Sequence, residues 1–117
     1  MEGVGLSHGI ALFNRSEYFE AHEVLEDVWR DAPAARKRFL QGLVQCAVAF
    51  HHYSTGNRVG MRGVMERAIR NLGECPADFR VVEVEMLVGS LMRWREALDN
   101  GNELPPLPKI EIAASGL

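Results

Sequence analysis

Residues 39–53 read FLQGLVQCAVAFHHY, and no Asp, Glu, Lys or Arg interrupts them. Val, Ala and aromatic side chains fall all round a helical wheel here, and a helix apolar on most of its circumference has to be enclosed by others. The spacing predicts a helix from about Ala34 to Ser54. It begins basic at Arg36-Lys37-Arg38 and ends at Thr55-Gly56-Asn57, where glycine can take the left-handed C-cap conformation. This helix belongs in the middle of a bundle.

Helical periodicity also dominates on either side, and no alternating β-type stretch competes with it. Upstream, Leu6, Ile10 and Phe13 at i, i+4 and i+7 predict a short first helix from about Leu6 to Phe13. Asn14-Arg15-Ser16 makes the turn, with Ser16 expected to cap a second helix from about Glu17 to Arg30. Downstream, Met61, Met65, Ala68 and Leu72 stripe a fourth helix over about Arg58 to Leu72. Gly60 and Gly63 would admit a close neighbour there, and Gly73 and Pro76 would end it. Val84, Leu87, Leu91, Trp94 and Leu98 mark a fifth over about Val81 to Leu98. Beyond Asp99-Asn100-Gly101, three prolines disfavour helix, and residues 100–117 read as an extended strap laid on the bundle, although PPLP could also be a polyproline ligand for a partner groove. The expected fold is all-α: an up-and-down bundle of about five helices closed by a proline-containing strap, one domain over residues 1–117.

Composition bounds the function classes. The 117 residues are 47% apolar and 25% charged, with net charge −3, which gives a real core and no basic nucleic-acid footprint. Neither an export signal nor a membrane span is expected from the N-terminal residues, which lack a basic start and a long apolar run. Cys46 and Cys75 have no metal-type spacing and fit a reducing compartment, so the expected location is cytoplasmic. Nucleic acid and membrane are not expected partners. A homodimer through the methionine and glycine positions of helix four stays open.

The chemistry concentrates on two helix edges. In YFEAHEVLEDVW, residues 18–29, His22 and Glu26 lie one turn apart at the border of the apolar arc, with Glu20, Glu23 and Arg30 around them. On the central helix, Gln41, Gln45 and His52 share a narrow sector. Neutral amides on an otherwise apolar helix are what buried polar partners require, because an unpaired buried donor costs on the order of 1 to 3 kcal/mol. The two edges are therefore expected to face each other and enclose an internal polar pocket.

Several chemistries fit that pocket differently. HEVLE resembles half of the zincin HExxH helix but lacks the second histidine. A di-iron bundle needs a carboxylate that the central helix does not carry. His22, Glu26 and His52 together could hold a divalent metal with open positions, or the network could hold no metal at all. Acid/base work by Glu23 or Glu26 is a further reading, hydrolytic if a substrate fits. The competing reading is structural: the same residues form a satisfied core network, and function lies on an exposed helix face that binds another protein. Trp29, Phe50 and Trp94 are expected in the core.

With these pieces in view, the chain resembles the family called domain of unknown function 309. The matching stretches are FNRSEYFEAHEVLEDVWR at 13–30, FLQGLVQCAVAFHHYSTGN at 39–57, GVMERAIRNL at 63–72 and LPKIEI at 107–112. The resemblance implies a small all-α protein with a polar cluster between its central helices, at Glu20, His22, Glu23, Glu26, Trp29, Gln41, Gln45 and His52. It implies no reaction. One departure is Ser16, where the family often has glycine before YFEAHE, and it bears on the geometry of that turn.

Overall fold

A computed structural model of the chain describes residues 2–75 and 81–113. Five helices account for most of them: α1 (Glu2–Asn14), α2 (Tyr18–Asp31), α3 (Ala34–Ser54), α4 (Arg58–Gly73) and α5 (Val84–Asn100). Each packs chiefly against its neighbour in sequence, with α3 between α2 and α4. The fold is an all-α bundle, as expected.

The central helix behaves as its apolar run requires. Phe39, Leu40, Leu43, Cys46, Ala47, Ala49 and Phe50 are buried. Gly42 is buried too, and for a steric reason: a Cβ there would stand 2.7 Å from Leu72 Cγ and Cδ2, so its hydrogen lets α4 come close. That role was expected of Gly60 and Gly63 instead. Gly63 faces open space, and a Cβ on Gly60 would meet only the Asn57 side chain that caps its own helix. Burial without a partner for the charge pushes the Cys46 thiol up to about 12.

An aromatic column fastens the helices together. Phe13 and Tyr18 meet edge-on with ring centres 5.2 Å apart, and Phe50 meets Trp94 at 5.1 Å. With Phe13 also edge-on to Phe50 at 6.1 Å, these T-shaped contacts link α1, α2, α3 and α5 through one cluster, and such pairs contribute about 0.5 to 1.5 kcal/mol each beyond their buried area.

Two turns differ from expectation, and both differences have a local cause. Ser16 does not cap α2. It ends α1 at φ 64°, with its N–H on Phe13 O at 2.9 Å and the Glu17 N–H on Leu12 O at 2.9 Å, the double bond of a Schellman turn. Glu17 precedes α2 with no side-chain cap. At the other end of the bundle, α5 starts at Val84 rather than Val81. Residues 81–83 are extended because they pair with the strap: Glu83 N–H donates to Glu111 O at 2.8 Å and Ala113 N–H to Val81 O at 3.0 Å, around an antiparallel bridge between Val82 and Ile112.

The described part of the strap is extended and bound at several points. Trp94 Nε1 donates to Pro106 O at 3.0 Å, and the Asn14 side chain holds both main-chain groups of Ile110. Its own Pro108 and Ile110 are buried. Pro76, expected to help end α4, and the last four residues of the strap lie outside the described residues.

Candidate functional site

The α2–α3 pair runs antiparallel. Tyr18 and Phe19 at the start of α2 meet Phe50 and His51 near the end of α3, while Lys37 in the first turn of α3 reaches Trp29 and Arg30 at the end of α2. This register decides which polar residues can share a site. Glu26 and Trp29 fall beside Gln41 and Gln45, whereas His52 falls beyond the first turn of α2.

The residues expected to enclose one internal pocket are accordingly spread over a surface. No charged or polar side chain is fully buried among the described residues. Glu20, Glu23, Arg30 and Gln41 are exposed, and His22, Glu26, Gln45 and His52 are half-buried. The physical reason is that both polar edges border the core from outside, because the apolar arcs of α2 and α3 fill the space between them.

Two open depressions result. One, of about 310 Å3, is lined by Glu26, Trp29, Gln41, Val44 and Gln45. The other, of about 290 Å3, lies at the opposite end of the helix pair and is lined by residues that include Phe19, Glu20 and His51. His22 stands between them, with Nε2 3.4 Å from Glu26 Oε2 and Nδ1 3.2 Å from its own helix at Phe19 O.

The expected metal trio does not converge. His52 Nδ1 sits 3.4 Å from Asn57 Nδ2 in the α3–α4 turn, while His22 pairs with Glu26. No group of three His, Cys, Asp or Glu side chains capable of holding a metal occurs among the described residues.

The first depression has defined electrostatics. Arg30 reaches back to Glu26 at 3.7 Å and bonds Asp27 at 2.7 Å. That bond to Asp27 holds the Arg30 guanidinium above its ordinary range. Lys37 Nζ donates to Trp29 O at 2.7 Å and Arg30 O at 3.0 Å, satisfying carbonyls at the end of α2, and lies 4.5 Å from the centre of the Trp29 ring.

Gln45 is engaged from the other side. Asn71 on α4 donates from Nδ2 to Gln45 Oε1 at 2.8 Å, and Arg38 Nε donates to Asn71 Oδ1 at 3.2 Å. Arg38 in turn pairs with Glu74 at 2.6 Å. Gln45 is therefore tied to α4 through Asn71.

The apolar spacing placed Trp29 in the core, against which it packs, and the family resemblance placed it in the polar cluster. It is half-buried and lines the depression, and its Nε1 is shielded from solvent with no hydrogen-bond partner. The other indole, Trp94, is bonded to the strap. Position i+3 from Glu26 was the available signal, since it puts Trp29 on the same edge of α2.

Comparison with known proteins gives three findings. A family model described as "Domain of unknown function (DUF309)" matches residues 6–64. "Uncharacterized protein YpuF" of Bacillus subtilis (strain 168) is 43% identical over 68 residues, which is 57% of this chain and 37% of that protein. An "Uncharacterized protein" of Aquifex aeolicus (strain VF5) is 26% identical over 100 residues, 85% of this chain and 29% of that protein. The chain thus spans about a third of the length of the curated relatives it matches.

Proposed function

The chain belongs to the family described as domain of unknown function 309, and from that premise we propose that it is a single helical binding domain whose α2–α3 edge takes a small polar ligand without a metal. The observation that carries this reading is the Trp29 indole N–H, buried and unpartnered beside Glu26, Gln41 and Gln45. Leaving such a donor unpaired costs about 1 to 3 kcal/mol, a cost that a bound acceptor removes. A metal-bound role has less support, because His22 and His52 engage different partners.

The longer relatives support a domain that works as one part of a larger chain. A cytoplasmic setting fits Cys46 and Cys75, which no disulfide joins. No described helix is long and apolar enough to cross a membrane.

The reading is tested by nuclear magnetic resonance on protein labelled at its two indole nitrogens, screened against a broad set of polar fragments. Binding at the edge shifts the Trp29 indole signal saturably and leaves Trp94 still. Absence of any such shift across the set sinks the proposal.

A further inference from the structure

The class of ligand follows from a chain of hydrogen bonds behind the depression, and the inference rests on the binding reading above. Arginine has donors and no acceptor, so the Arg38 Nε contact at 3.2 Å requires Asn71 to present its oxygen there. The Asn71 amide must then turn its NH2 to Gln45, as the 2.8 Å bond from Nδ2 to Oε1 records. This takes up the Gln45 oxygen. Nε2, with two hydrogens, is the end of Gln45 that Asn71 leaves unengaged.

The lining therefore offers two neutral donors, Trp29 Nε1 and Gln45 Nε2, and on the α2 rim an acceptor, the Glu26 carboxylate. Charge at the depression is balanced, with Arg30 3.7 Å from Glu26 and Lys37 over the Trp29 ring, so no net field favours an ion of either sign. An anion would be set against Glu26, and a cation would meet two N–H donors and Lys37, 4.5 Å from the Trp29 ring. A neutral group carrying both an acceptor and a donor satisfies all three positions.

We propose that the depression recognises a neutral amide, its carbonyl oxygen accepting from Trp29 Nε1 and Gln45 Nε2 and its N–H donating to Glu26. The indole nitrogen is shielded from solvent, so a rim side chain has to move for the carbonyl to reach it. Gln41 is the exposed residue of the lining.

The test uses the same indole signals with four small probes: 2-pyrrolidone, N-methylacetamide, γ-butyrolactone and butyrate. 2-Pyrrolidone presents carbonyl and N–H on one edge, and N-methylacetamide presents them on opposite sides, as a peptide main chain does. The lactone lacks the N–H, and butyrate is an anion. The amides are expected to shift Trp29 and not Trp94, and to bind about tenfold more tightly than the lactone, the value of one well-placed hydrogen bond.

Tighter binding of the cyclic amide assigns the ligand to small lactam-like molecules, and tighter binding of N-methylacetamide assigns it to a peptide main chain; either supports the amide class. Gln45→Glu keeps the oxygen that Asn71 needs and replaces the NH2 with oxygen, so it should weaken amide binding about tenfold in a protein that remains folded. Equal binding of lactam and lactone, tighter binding of butyrate, or an unchanged Gln45→Glu variant overturns the amide class while the site stands. If neither these probes nor any fragment shifts Trp29, the site itself falls.

Discussion

The Asn14 side chain pairs with both main-chain groups of Ile110, 96 positions further along: Nδ2 donates to Ile110 O at 2.8 Å, and Oδ1 accepts from Ile110 N–H at 2.7 Å. A carboxamide here does what a neighbouring strand would do for the strap. Lys109 Nζ adds a bond to Asn14 O at 2.6 Å. Replacing Asn14 by Ala leaves two main-chain groups of the strap unpaired in a part-buried setting. Asn14→Ala should lose about 2 kcal/mol in urea unfolding and should be cut by trypsin after Lys109 faster than the parent protein.

Ser16 holds a left-handed φ of 64° with a Cβ present. Glycine removes the steric cost of that conformation, and the side-chain hydrogen bond forfeited among the described residues is a long one, Tyr18 Oη to Ser16 Oγ at 3.4 Å. Ser16→Gly is expected to raise stability by about 0.5 to 1 kcal/mol, seen as a higher urea midpoint at unchanged slope.

The two indoles should respond oppositely to removal of their N–H. Trp94→Phe breaks the bond to Pro106 O and loosens the strap, with an expected loss of about 1 to 2 kcal/mol. Trp29→Phe removes a donor that has no partner and keeps the ring beneath Lys37, so its stability should match or exceed the parent's. Indole hydrogen exchange provides an independent check, with Trp94 expected to be the slower.

Gly42→Ala should destabilise by about 1 to 3 kcal/mol, since the new methyl would stand 2.7 Å from the Leu72 side chain and force α3 and α4 apart. Gly63→Ala, in open space on α4, should stabilise slightly through helix propensity. Thermal melts of the two variants side by side check the contrast.

Arg95 and Arg62 clasp Glu66 at 3.1 and 2.9 Å and hold its carboxyl below the usual range, with Arg95 the larger cause. A carboxylate with a lowered folded pKa stabilises above its unfolded value, and that contribution fades as pH falls through the lower folded value. Arg95→Ala should therefore melt below the parent at pH 6, with the gap closing at acid pH below about 4.

The central helix was readable to its end residues because everything that defines it is local: an apolar run, Pro33 ahead of it and Gly56, at φ 82°, behind it. The start of α5 was not. Val81 and Val82 fit a helical stripe, and only their pairing with residues 111–113, some thirty positions away, draws them out of it. The site was legible to a similar depth. Wheel geometry put Glu26, Gln41 and Gln45 on facing edges, but it contains neither the rotation of a third helix nor the depth of the edge. Asn71, which claims Gln45, and the lone indole N–H of Trp29 both lay beyond it.

Helices that pack mainly on their sequence neighbours form an open series, and an open series frays from its ends, each terminal member being held on one side only. The strap changes that arithmetic. By bonding Trp94 at Pro106 and Asn14 at Ile110, it fastens the far end of the series to the near one, so the first helix cannot peel away without also releasing the last segment. A row of five becomes a loop, and melting at either end becomes melting of the whole.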